Sequence, residues 1–138
     1  MRTAAPAIVV FCFLFFAQGC GNREGATLSG NVTLDDKPLE AGTISFYPTG
    51  DTRGPATATD ITSGRYSISD HDGIVVGTSR TEITAFEKTG NQVPDHFQKQ
   101  VMIDEMKPII PARYNENTEL IVEIRAGTNA RDFHLKSP

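Results

Sequence analysis

Beyond residue 26 the chain alternates. Leu28, Gly30, Val32 and Leu34 are separated by Ser29, Asn31 and Thr33. That period of two puts one row of side chains on each face of a strand. Asp35-Asp36-Lys37-Pro38 interrupts the pattern as a turn, and Thr43 to Tyr47 resumes it with Ile44 and Phe46 on one face. Thr49 to Pro55 gathers Gly50, Asp51, Gly54 and Pro55 and reads as a loop. Short strands are predicted over Ala56–Asp60 and Arg65–Ile68 around Thr62-Ser63-Gly64, with Asp70-His71-Asp72-Gly73 as the following turn. Ser79 to Phe86 is a further strand, with Ile83 and Ala85 on a common face. Leu120, Val122 and Ile124 mark another, and Gly127-Thr128-Asn129 is predicted to turn it into the last, where Phe133 and Leu135 point inward. These seven short strands are rich in β-branched residues, and no segment holds a helical period over three turns. The pattern predicts an all-β sandwich over residues 27–138, each sheet burying one face.

The first residues do not share this pattern. Arg2 is followed by an unbroken apolar run from Ala7 to Ala17. As a helix the run reaches about 16 Å at roughly 1.5 Å per residue, against a bilayer core of about 30 Å. A charged start, a short apolar stretch and small residues at its exit predict a cleaved signal peptide over residues 1–19. Ala17-Gln18-Gly19-Cys20 resembles a bacterial lipobox, with Gly19 as the small residue before the modified cysteine; Ala17 and Gln18 depart from the preferred Leu and Ala or Ser. The resemblance implies that Cys20 is acylated and becomes the N-terminus, so that the protein is exported and lipid-anchored in the cell envelope, in the inner or the outer membrane. The alternative is an ordinary secretory signal that leaves Cys20 as a free thiol. Residues 20–26 then form a short tether, and its five residues Gly21 to Gly25 span about 17 Å when extended.

Removal of Cys12 with the signal leaves Cys20 as the sole cysteine. A disulfide framework is excluded, and a hydrophobic core has to hold the domain. The remaining 12 basic and 17 acidic side chains are well mixed. They form no basic stripe for nucleic acid and no polybasic run for anionic lipid.

One stretch resists assignment. Lys88 to Asn117 shows no clear strand, yet Val93, Phe97, Val101, Met102, Ile103, Met106, Ile109 and Ile110 make it too apolar for disorder. It either folds back to plug the open end of the sandwich or cover an edge, or presents Phe97, Met102 and Met106, with Tyr114, as an adaptable contact for a partner.

Gly30-x-Val32, Lys37-Pro38-Leu39, Ala41-Gly42-Thr43-Ile44, Gly64-Arg65-Tyr66-Ser67-Ile68, and Gly77 followed by Ile83 together resemble carboxypeptidase regulatory-like domains. Ile110-Pro111-Ala112-Arg113-Tyr114-Asn115, with the two strands after it, is similar to small bacterial lipoproteins built on that domain. The resemblance spans the mature chain and implies a seven-stranded transthyretin-like (prealbumin-like) β-sandwich, an accessory module without catalysis. It implies a ring of Tyr66 that is buried with its hydroxyl near the rim. Gly64 and Gly77 sit where a turn enters a strand, positions that often need positive φ.

Known chemical motifs are missing. There is no nucleophile elbow, zinc-binding helix, phosphate loop or Cys-x-x-Cys pair. Asp70-His71-Asp72-Gly73 contains the Asp-x-Asp-Gly of a calcium loop, but Ile68 and Ser79 occupy the first and last ligand positions; a turn is expected, and no metal. His96 and His134 are dispersed, and Asp35-Asp36 and Asp104-Glu105 lack partners for acid–base work. The transthyretin-like hydrolases end in Tyr-Arg-Gly-Ser, whereas this chain ends His134-Leu135-Lys136-Ser137-Pro138. No catalytic residue and no cofactor are expected. The expected role is a non-enzymatic envelope module, structural or binding, whose partner is an envelope protein. The alternatives are carbohydrate binding, disfavoured by the absence of Trp and the scatter of Tyr47, Tyr66 and Tyr114, and a hydrolase.

Overall fold

The computed structural model describes residues 25–138. The expected signal peptide, Cys20 and the tether before Gly25 lie outside the described residues. The fold is all-β, with eleven strands: β1 Ala26–Leu34, β2 Lys37–Pro38, β3 Ala41–Pro48, β4 Thr57–Thr62, β5 Arg65–Ser69, β6 Gly77–Thr84, β7 Phe86–Pro94, β8 Met102–Pro108, β9 Ile121–Ile124, β10 Gly127–Ala130 and β11 Phe133–Leu135. Nine of them form one sheet in the order β10-β1-β5-β4-β3-β6-β9, with β2 and β11 also paired to β1. The sheet curls into a half-barrel. β4 and β5 share only the pair Thr62↔Arg65 at their turn, so the two halves of the sheet part there.

The curl encloses the row of side chains that the alternation selects. Leu28 and Val32 of β1, Ile44 and Phe46 of β3, Ile61 of β4, Ile68 of β5, Ile83 of β6, Val122 and Ile124 of β9, and Phe133 and Leu135 of β11 are all buried. Tyr66 of β5 lies between Phe46 and Phe133, with ring centroids 6.1 and 6.0 Å away. Its hydroxyl donates to the Arg131 carbonyl at 2.7 Å, and burial pushes its pKa well above that of a free phenol. β6 departs from the apolar rule: Ser79 and Thr81 also face inward, and neither hydroxyl finds a protein hydrogen-bond partner. A buried hydroxyl left this way costs on the order of 1–3 kcal/mol.

Tight turns join the hairpins as the sequence indicated. Asp35 and Asp36 hold φ of 51° and 66° between β1 and β2, and Ser63 and Gly64 hold 49° and 74° between β4 and β5. A Cβ on Gly64 would stand 2.7 Å from that of Pro38, so the glycine answers both a left-handed backbone and a close approach.

Three expectations need correction. The described residues form eleven strands rather than seven. Gly127-Thr128-Asn129 is not a turn but most of β10, which runs parallel to β1 in the register Ala26↔Gly127 to Ser29↔Ala130. After Arg131 and Asp132 the chain rejoins the same strand as β11, parallel again from Val32↔Phe133 to Leu34↔Leu135. Lys88 to Asn117 is not strandless either: β7 and β8 form a separate antiparallel hairpin from Phe86↔Pro108 to Pro94↔Met102.

The registers fix which ends of the strands lie together. Ala26 pairs with Gly127 and Thr27 with Ser69; at the same end of the sheet Phe46 pairs with Thr57, Pro48 with Ser79, and Gly77 with Ile124. This is the end at which the chain enters through Gly25. β6 runs away from it, so the β7–β8 hairpin leaves from the opposite end, beside the turns at Asp35-Asp36 and Ser63-Gly64.

Candidate functional site

Among the described residues β7 and β8 pair with each other and with no other strand. Their hairpin and its tip carry Phe86, Phe97, Val101, Met102, Ile103 and Met106, six of the eight large apolar side chains exposed among the described residues; the other two are Val76 and Ile121. The stretch does not fold back over the sheet as a plug. Only its final part, with Ile109, Ile110 and Tyr114, packs against the core.

The hairpin is built from its own polar contacts. Lys88 pairs with Met106 and Gln92 with Asp104, so Thr89, Gly90 and Asn91 bulge opposite Glu105. Glu105 Oε2 accepts from Thr89 Oγ1 at 2.6 Å and from Asn91 Nδ2 at 3.1 Å. These donors hold the Glu105 carboxyl below the usual range. Bulges re-aim side chains and increase local twist. On one face Glu87 and Lys107 pair at 2.7 Å, with Val93 beside Ile103. On the other, Phe86, Met106 and Met102 form an apolar stripe crossed by the Lys88–Asp104 pair at 2.6 Å. The hydrogen bond between them, and then the opposite charge of each partner, favours both ionised forms, lowering the Asp104 pKa and raising that of Lys88. At the tip, Asp95 Oδ1 accepts from the backbone N–H groups of Phe97 and Gln98 at 2.6 and 2.9 Å, and Asp95 N–H donates to the Val101 carbonyl at 2.8 Å. This turn holds Phe97 away from the body, 96% exposed.

Phe97, Met102 and Met106 therefore come together on one element. Tyr114 does not join them. It ends a short 3-10 turn, is partly buried against the core, and its hydroxyl accepts from Lys136 N–H at 3.1 Å. It fastens the C-terminal segment, as does Arg113, whose guanidinium donates to the carbonyls of Lys136 and Ser137. Phe86 and Ile103 belong to the hairpin surface and were absent from the expected contact set. Ile103 was visible as an apolar residue of the unassigned stretch, but nothing in the sequence separated exposed apolar positions from buried ones.

The other candidates resolve locally. Asp70–Asp72 is a 3-10 turn, and Asp72 Oδ2 accepts from Ser69 N–H at 2.9 Å and Ser69 Oγ at 2.8 Å, which lowers the Asp72 pKa. Among the described residues no three His, Cys, Asp or Glu side chains group as metal ligands. Asp104 and Glu105 point to opposite faces of β8, each with its own partners. His134 Nδ1 lies 2.9 Å from Thr33 Oγ1. Tyr47 lies under the Arg80 guanidinium at 4.9 Å, Tyr66 is buried and Tyr114 lies beneath Arg113 at 4.8 Å, so the three tyrosines remain apart.

No family model and no curated protein matches the chain. Among solved structures it is similar to a 9R-lipoxygenase from Cyanothece PCC8801, at 12% identity and a TM-score of 0.38, over 83% of this chain and 17% of that one. A likeness that low carries no argument about fold or activity.

Since the hairpin stands outside the core, Phe97→Ala and Met106→Ala are expected to leave stability within about 0.5 kcal/mol of the parent protein, as for surface substitutions generally. Thermal melts of the two variants check this; a melting temperature lowered by many degrees would place the hairpin in the core after all.

Proposed function

We propose that the protein is a non-enzymatic, lipid-anchored envelope module that presents its β7–β8 hairpin to a protein partner. The observation that carries this reading is the opposition of its two ends. The chain enters the sheet at Gly25, five residues after Cys20, and the hairpin leaves from the other end. Acylation of Cys20 keeps the entry end within about 17 Å of the membrane surface. The nine residues of β1 then add about 30 Å before the hairpin begins. This separation supports a hairpin whose exposed Phe86, Phe97, Met102 and Met106 meet another macromolecule rather than the anchoring bilayer. In finer terms the reading is a transthyretin-like sandwich of the carboxypeptidase regulatory-like kind. Support comes from the Gly64 turn into β5, the buried Tyr66 and the single inward row of apolar side chains.

Two variants test it. Cys20→Ala is expected to move the protein from the membrane to the soluble exported fraction, and mass spectrometry of the mature N-terminus is expected to find acyl chains on the parent protein only. On native gels of solubilised membranes the parent is expected to run as a discrete complex, and the triple variant Phe97→Ser, Met102→Ser, Met106→Ser is expected to stay folded and anchored but to lose it. An unacylated Cys20 overturns the anchor, and a complex indifferent to the triple variant overturns the hairpin's role.

A further inference from the structure

We propose that the outer edge of β8 pairs with β8 of a second copy of this chain, antiparallel about a two-fold axis at Met106, so that two hairpins become one four-stranded sheet. The inference rests on the reading of the hairpin as the contact element and names what that element contacts.

Among the described residues β8 is the longest regular open edge, longer than the six residues of β4 and the five of β5 that face each other where the large sheet parts. The large sheet ends in β9 and β10, four residues each, and β11 is shorter still. Short edges of this kind are poor templates for a further strand. The β7 edge is broken by the Thr89–Asn91 bulge, where Gly90 takes φ 87°. β8 runs seven residues without irregularity. The bonds at its two ends give its phase. Asp95 N–H donates to the Val101 carbonyl, and Ile109 N–H donates to the Ala85 carbonyl. Odd-numbered residues thus turn their backbone groups toward β7, and Met102, Asp104, Met106 and Pro108 turn theirs outward. These outward groups have no strand partner among the described residues. A two-stranded ribbon is at best marginally stable in water, whereas three or more strands sustain a sheet.

Charge selects the second copy and the register. Pairings centred on Asp104 or Glu105 would set that carboxylate directly opposite its own equivalent, which is destabilising. Centring on Ile103 leaves Glu105 opposite Val101 and runs the pairing into the tip turn. Centring on Met106 sets Glu105 of each copy opposite Lys107 of the other. Both contacts fall at non-hydrogen-bonded positions, where facing Cα atoms are about 4.5 Å apart and side chains are closest. Met106 then exchanges both backbone bonds with its equivalent, and each Asp104 N–H reaches the carbonyl of Pro108 in the other copy. Pro108, lacking an N–H, ends the edge. Thr89 and Asn91 of β7 both bond Glu105 Oε2, which leaves Oε1 to meet Lys107 of the second copy. The association joins two identical patches, as a closed dimer requires.

The test uses the processed full-length protein in mild detergent. Met106→Cys places two thiols across the axis at a Cα separation of about 5.5 Å, within disulfide range. Gentle oxidation is expected to yield a dimer as the main product, with the disulfide between the two introduced thiols identified by mass spectrometry of the linked peptides. The fully exposed tip variant Phe97→Cys is expected to give far less. Adding Lys107→Glu to Met106→Cys opposes like charges twice and is expected to cut the yield about tenfold. Adding Glu87→Gln removes only the pair within one chain and is expected to leave the yield unchanged. Equal yields at 97 and 106, or indifference to Lys107→Glu, overturn the proposal. If the Met106→Cys thiol does not pair with its equivalent but the native complex contains a different protein bound through the hairpin, self-pairing is overturned and the hairpin's contact role stands. If neither forms, both readings fall.

Discussion

Gly30→Ala is expected to cost about 3 kcal/mol or more, although alanine is the smallest possible addition. Gly30 lies in the middle of β1, paired with Tyr66 of β5, where the C-terminal segment crosses between β10 and β11. A Cβ there would overlap the Arg131 carbonyl oxygen and come within 2.6 Å of its carbon. The obstacle is backbone, so no rotamer change relieves it. Moving Arg131 disturbs its N–H bond to the Ser29 carbonyl at 2.9 Å and its acceptance of the Tyr66 hydroxyl at 2.7 Å. It also shifts Asp132, whose Oδ1 accepts from Asn31 N–H at 2.7 Å. A typical domain has only about 5–15 kcal/mol in total, so a fall of roughly ten degrees in melting temperature is expected. Gly50→Ala is the control. Gly50 has positive φ, 64°, but nothing within 4 Å of an added Cβ, and its expected loss is about 1 kcal/mol, from backbone strain alone. Chemical denaturation of both variants checks the order, and a Gly30→Ala protein as stable as Gly50→Ala would refute the close crossing.

That crossing also shows why the sequence could be read only in part. Leu28 to Leu34, Thr43 to Tyr47 and Arg65 to Ile68 each bury one face against the core, and burial of one face writes a period of two into the residues. The turns at Asp35-Asp36 and Ser63-Gly64 were legible for a similar reason, because positive φ restricts which residues serve. The parallel return of β10 and β11 onto β1 leaves no such local mark: it joins residues about a hundred positions apart, and Gly127-Thr128-Asn129 suits a turn as well as a strand. The β7–β8 hairpin was missed on physical grounds. It stands clear of the core and buries neither face against it, so neither face had to be uniformly apolar. Its bulge at Thr89–Asn91 then shifts whatever alternation remains. Met102 and Met106 share a face, yet Asp104 lies between them paired to Lys88, and a stripe interrupted by a charge reads as loop. Phe97, Met102 and Met106 could be named as contact candidates because they were apolar residues without an assigned place. Tyr114 was named on the same ground and proved to fasten the C-terminus.

Two phenylalanines carry the contrast between core and hairpin into measurement. Phe46→Ala is expected to lower stability by about 3–5 kcal/mol, the usual cost of emptying a buried aromatic site. Phe46 is completely buried on β3 and flanks Tyr66, which in turn packs on Phe133. Its loss therefore loosens a row of rings that spans β3, β5 and β11. β3 is paired on both sides, to β4 and to β6, and cannot close over the void without breaking register. Phe46→Leu keeps most of the volume and is expected to cost much less, on the order of 1.5 kcal/mol. Phe97→Ala removes the same atoms from the tip and is expected to cost almost nothing. Urea titration of the three variants gives the ranking directly. Equal losses at 46 and 97 would mean that the hairpin is packed against the body. A loss at 46 alone leaves Phe97 with no role in folding, and its exposed ring is then available for what the hairpin binds.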